Sequence, residues 1–98
     1  MTEASFQAKI LKKIGELFPG SFVVKNDPRV NQGVPDILIL FKDKWAMLEF
    51  KASAKARTRP NQPYFVKLFN NMSFAAFIHP GNEKKVLNDL QSALGTKG

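Results

Sequence analysis

The chain has no cysteine, one histidine, one tryptophan and one tyrosine among its 98 residues. Without cysteine there is neither a disulfide framework nor a thiolate zinc site. A single histidine argues against a histidine-rich metal centre and against a Ser-His-Asp triad. Long apolar runs are also missing: Ile37-Leu38-Ile39-Leu40-Phe41 falls far short of the ~20 residues a membrane helix needs. No signal-peptide hydrophobic region opens the sequence, so a soluble protein acting in the cytoplasm is expected. Acidic residues are scarce, eight Asp and Glu against fifteen Lys and Arg, a net charge of +7. None lies between Glu49 and Glu83, where Lys51, Lys55, Arg57, Arg59 and Lys67 all fall. Such a balance points to a polyanionic partner, nucleic acid before membrane, because no basic amphipathic helix is free to lie on a bilayer.

At 44% hydrophobic and 23% charged, the composition is that of a globular domain, and the length predicts one domain over residues 1–98. From Glu3 to Phe18 apolar residues recur at helical spacing, with Thr2 or Ser5 to cap the start and Pro19-Gly20 to stop it. Phe6, Ile10, Ile14 and Leu17 form its apolar stripe; Lys9, Lys12, Lys13 and Glu16 project from the opposite face. Glu3 falls inside the stripe, where an isolated carboxylate is expensive. Strands are expected at Ser21–Lys25, Asp36–Phe41, Lys44–Lys51 and Phe74–His79, and helices at Tyr64–Asn71 and Asn82–Leu94, the last capped by Asn82 and ended by Gly95. Residues 52–63 read as a basic loop. The fold class is α/β (α+β): a mixed central sheet flanked by helices in the order α-β-β-β-α-β-α, with the strands on either side of the middle helix parallel.

One constellation carries chemistry. Asp36 opens an otherwise apolar strand, and Glu49 and Lys51 share a face near the end of the next. If Lys42-Asp43 is a two-residue turn, Phe41 meets Lys44 and Asp36 lies directly opposite Glu49; a three-residue loop would shift this by one. Like charges so opposed destabilise a sheet unless something holds them. Lys51 compensates one carboxylate; a hard divalent cation, Mg2+ or Mn2+, would compensate the pair and a substrate phosphate.

Gly33-Val34-Pro35-Asp36, twelve residues, then Glu49-Phe50-Lys51 resembles the PD-(D/E)xK nuclease signature. With Glu3-Ala4-Ser5-Phe6-Gln7 before it and Gln62 after it, the sequence over about residues 3–79 resembles the VRR-Nuc family, whose small stand-alone phage members act like Holliday-junction resolvases. That resemblance implies a restriction-endonuclease-like core and a phage-type enzyme acting in its host's cytoplasm. Asp36 and Glu49 would bind metal with the backbone carbonyl of Phe50, and Lys51 would orient or deprotonate the attacking water. Glu3 would complete the outer shell or serve a second metal, with Glu16 ranked behind it. Gln62 would place the basic loop or the nucleophile. The sequence departs from the family in having Arg59 before Pro60 and Pro63 directly after Gln62.

Lys55, Arg57, Arg59, Lys67, Lys9, Lys12 and Lys13 are expected to track DNA phosphates without reading sequence. The expected activity is metal-dependent endonucleolytic cleavage of branched DNA, such as four-way junctions, by a homodimer. A monomeric nicking or flap nuclease and a non-catalytic DNA-binding module are the alternatives. His79 reads as a turn or surface residue, and Tyr64 as the aromatic most open to a stacking role. The last helix reads as core, with part of its stripe available to a dimer.

Overall fold

A computed structural model describes residues 2–95. The elements run α1 (Glu3–Leu17), β1 (Phe22–Lys25), β2 (Ile37–Phe41), β3 (Lys44–Phe50), α2 (Gln62–Met72), β4 (Ala75–Ile78) and α3 (Glu83–Leu94), the expected α-β-β-β-α-β-α order. Thr2 caps α1, its Oγ1 accepting the Ser5 N–H at 3.1 Å. Gly20 turns the chain out of that helix with a φ of 88°. Gly95 ends α3 in the left-handed region that a helix C-terminus favours. Asn82 occupies the start of α3 without capping it. Its side chain turns back to the end of β4, accepting from His79 N–H and donating to the Phe77 carbonyl. Helix α2 begins at Gln62, two residues before the expected start, because Pro63 falls in its first turn, where a missing N–H costs nothing.

The strands lie in the order β1-β2-β3-β4, the first two pairings antiparallel and the third parallel. Phe41 pairs with Lys44, so the β2–β3 connection is the two-residue turn, with Lys42 at a φ of 56°, as tight hairpins require. Strand alternation then sorts the side chains onto two faces. Ile37, Ile39, Ala46, Leu48 and Phe50 meet Phe6, Ile10 and Ile14 of α1 and Val86, Leu87, Leu90 and Leu94 of α3. On the other face Met47 and Ala75 pack with Val66 of α2, flanked by Trp45, Phe69 and Phe77. Val86, Leu87, Leu90 and Leu94 of the α3 stripe are thus spent on this chain's own core. Among the described residues no helix is long and apolar enough to cross a membrane.

Candidate active site

Three chain segments meet beyond the ends of β2 and β3, and each arrives for a local reason. Continuing the β2–β3 register one step past Ile37–Leu48 sets Asp36 opposite Glu49. Counting from the hairpin turn, this is a non-hydrogen-bonded pair, the kind in which Cα atoms approach to about 4.5 Å and side chains stand closest. One step further, Pro35 stands opposite Phe50 at a position where each residue should bond the other's backbone. Proline has no N–H to give, so the ladder leaves the Phe50 carbonyl free. The Phe50 N–H is taken instead by Asp36 Oδ2 at 2.8 Å. Proline before aspartate therefore ends the ladder, and the Asp36 side chain caps the last free amide of β3.

Glu49 and Lys51 leave β3 on the α2 side of the sheet and are almost fully buried. Gln62, the first residue of α2, closes a circuit between them. Its Nε2 donates to Glu49 Oε2 at 2.9 Å, and its Oε1 accepts from Lys51 Nζ at 2.8 Å and from the Arg59 N–H at 2.9 Å. Lys51 also donates to the Arg57 carbonyl at 3.1 Å and stands 3.9 Å from Glu49 Oε2, with the Phe77 ring beneath it. Burial, then the neighbouring Asp36 charge, push the Glu49 carboxyl up to about 8; the Lys51 ammonium opposes this and Glu3 adds to it. The carboxylate pair is thus under-compensated by the protein's own cations.

Glu3 joins this group, but not as a buried residue. It is exposed on the first turn of α1, although Phe6 in the same turn is fully buried. From there it lines a cleft of about 260 Å3 with Asp36, Glu49, Lys51 and Gln62, walled by Pro28, Arg57 and Arg59. Glu16 lies elsewhere, in a groove between α1 and α3 with Lys84 and Gln91. Among the described residues no three His, Cys, Asp or Glu side chains are grouped closely enough to hold a metal ion. Asp36, Glu49 and the free Phe50 carbonyl are all hard oxygen donors, a set that fits a Mg2+- or Mn2+-type cation completed by water and phosphate.

The cationic residues divide. Arg57 and Arg59 face the cleft, and Lys55 is exposed on the same loop. Lys12 is exposed on α1 and Lys67 on α2. Lys9 and Lys13, expected to track phosphates, instead converge on the buried Glu83, Lys9 at 3.2 Å, so part of their charge is spent inside the protein. His79 holds a turn, its Nδ1 accepting the Gly81 N–H.

Asn61 escaped the sequence reading. Its Nδ2 donates to the Gln32 carbonyl at 2.9 Å and it packs against Gly33, whose φ of 89° admits no ordinary side chain. This contact fastens the start of α2 to the loop that delivers Asp36. A lone asparagine before Gln62 carries no signal that would have announced it. Comparison of the chain with protein-family models, with curated proteins and with solved structures gives no match in any of the three.

Proposed function

We propose that this protein is a metal-dependent, structure-selective DNA endonuclease of the PD-(D/E)xK type that hydrolyses phosphodiester bonds in branched DNA such as four-way junctions. The observation that carries this reading is the meeting of Asp36, Glu49, Lys51 and Gln62 in one cleft rimmed by Arg57 and Arg59. Two carboxylates facing each other cost stability, and a cation between them would relieve it. Asp36, Glu49 and the Phe50 carbonyl would hold that Mg2+ or Mn2+. When bound, it would supply Lewis-acid stabilisation of the phosphate and lower the pKa of a water. Lys51 orients the attacking water and places positive charge beside the phosphate oxygens. Gln62 ties Glu49 to Lys51 through the hydrogen bonds of its amide, and Glu3 contributes from the rim. Arg57, Arg59 and Lys55 bind the strand on either side through its phosphates, which gives affinity without sequence preference. The work is done in the cytoplasm on intracellular DNA. Cutting two strands of a junction calls for a second copy.

The test is incubation with four-way junction, flap and linear duplex DNA in Mg2+, Mn2+ or EDTA, with products mapped on each strand. Metal-dependent cleavage of the junction is expected, abolished in Asp36→Asn and Lys51→Ala while both variants still bind it. Binding without cleavage under every metal condition would leave a DNA-binding module. Cleavage confined to flaps, from a monomer of about 11 kDa by light scattering, would replace the resolvase reading with a monomeric nicking or flap nuclease.

A further inference from the structure

The chain's one tyrosine, Tyr64, is 63% exposed in the first turn of α2, yet its ring is firmly backed. Phe65 meets it edge-on, with ring centroids 5.1 Å apart and planes at 76°. Phe65 in turn stacks on Phe69 at 5.9 Å and 16°, and Phe69 meets Trp45 of β3. A row of aromatic rings rooted in the sheet therefore ends in one ring presented to solvent. Lys67 stands beside it, exposed, in a shallow groove of about 270 Å3 that also includes Leu68 and Asn71.

A solvent-facing tyrosine is by itself ordinary. Charge gives this one a partner. No acidic residue occurs between Glu49 and Glu83, so the only charges there are positive: Lys67 on α2, and Lys51, Lys55, Arg57 and Arg59 before it. A second copy of a chain of net charge +7 is repelled by such a surface, whereas a polyanion is drawn to it. Gln62, two residues earlier, is bonded to Glu49 in the cleft. Two residues make a rise of about 3 Å but a turn of about 200°, so Tyr64 stands on the solvent side of α2 while Gln62 reaches the cleft from the other, and a bound strand would pass over the start of α2 to touch both.

We propose that Tyr64 is a stacking platform for an unpaired nucleobase of the bound strand, with Lys67 holding an adjoining phosphate. A base inside a duplex has both faces covered by its neighbours, so only a strand with an unpaired base can use the platform. The proposal rests on the reading of this protein as a DNA-binding nuclease and adds what that DNA must offer: a fork, flap or junction with an unstacked base outside the cleft.

The experiment measures binding by fluorescence anisotropy, without divalent metal, for a forked DNA with a single-stranded arm and for a blunt duplex of equal length. In the fork, 2-aminopurine occupies successive unpaired positions. Tyr64→Ala is expected to lose about 5- to 100-fold in affinity for the fork, the span that one stacked base contributes, while blunt-duplex affinity stays within about twofold. Tyr64→Phe keeps the ring and is expected to bind the fork like wild type. Wild type and Tyr64→Phe should quench 2-aminopurine at one position, and Tyr64→Ala should not. Unchanged fork affinity in Tyr64→Ala, equal losses on fork and duplex, or a loss in Tyr64→Phe equal to that in Tyr64→Ala would each overturn the platform. So would a change from dimer to monomer in Tyr64→Ala by light scattering, which would assign the ring to a protein interface. Absence of metal-dependent cleavage, by contrast, would overturn the nuclease reading and leave these binding outcomes standing.

Discussion

Gln62 donates to Glu49 across 2.9 Å while the oxygen of the same amide accepts from Lys51, so one neutral side chain ties the buried acid to the buried base. The arrangement solves a particular problem. Glu49 and Lys51 are on one strand face, 3.9 Å apart at their closest, too far for a hydrogen bond. The amide matches both, presenting its N–H to the carboxylate and its carbonyl to the ammonium.

Replacing that amide should therefore disorder chemistry before it disorders binding. Gln62→Ala is expected to slow single-turnover cleavage of junction DNA by about 10- to 100-fold, the scale on which small misplacement of reacting groups is felt. DNA affinity should stay within about threefold, since the substitution removes the bond to the Arg59 N–H but keeps the side chains of Arg57, Arg59 and Lys55. A parallel fall in affinity and rate would assign Gln62 to holding the basic loop instead.

Glu49 makes metal-free stability depend on pH. Its folded-state carboxyl titrates at about 8 against an ordinary value of 4.5, so the folded protein binds this proton more tightly than the unfolded chain. The associated stability is complete below about pH 4.5 and is lost as the pH rises through 8. In EDTA the thermal midpoint should fall between pH 5.5 and 8.5, and Glu49→Gln should flatten that fall. Adding Mg2+ or Mn2+ should raise the midpoint more at pH 8.5 than at pH 5.5, and Asp36→Asn should weaken the effect. A midpoint that rises with pH in EDTA would contradict this.

Gly33 and Asn61 should behave as one unit. Gly33→Ala places a Cβ where the Asn61 amide now sits and forces a side-chain residue to a φ of 89°. A cost of about 2–4 kcal/mol is expected, from left-handed strain of about 1–2 and the displaced amide's hydrogen bond to Gln32. Asn61→Ala removes the clash but not the strain. Denaturant unfolding of both single variants and the double variant should accordingly show less than additive losses. Full additivity would mean the two residues do not share the contact.

Glu83 joins α3 to α1 by accepting from Lys13 and Lys9. The hydrogen bond from Lys13 comes first in lowering its pKa, against the opposing effect of burial. A carboxyl lowered in the folded state contributes stability above its ordinary pKa that is lost as the pH falls through the folded value. This window lies on the acid side and is separate from that of Glu49. Glu83→Ala should cost about 1–2 kcal/mol rather than the 3–5 of a fully buried pair, because the two lysines are partly exposed and return to water. Urea unfolding at pH 7 measures it, and the difference should shrink at pH 3.

Much of this protein is decided over short stretches of chain. Strand periodicity and a two-residue turn at Lys42-Asp43 suffice to put Asp36 opposite Glu49 and Glu49 beside Lys51, because alternation of side chains leaves no freedom once the turn is set. Helix limits at Thr2, Gly20, Pro63 and Gly95 are likewise local, a matter of caps and permitted φ. Tertiary structure alone decided the rest. Glu3 reaches the cleft while staying exposed, Gln62 closes the circuit between Glu49 and Lys51, and Asn61 fastens two loops. Lys9 and Lys13 turn from solvent to Glu83, 74 and 70 residues away in sequence. Each of these depends on how helices settle against opposite faces of the sheet. That is set by the summed fit of many apolar side chains, which no single stretch of sequence contains.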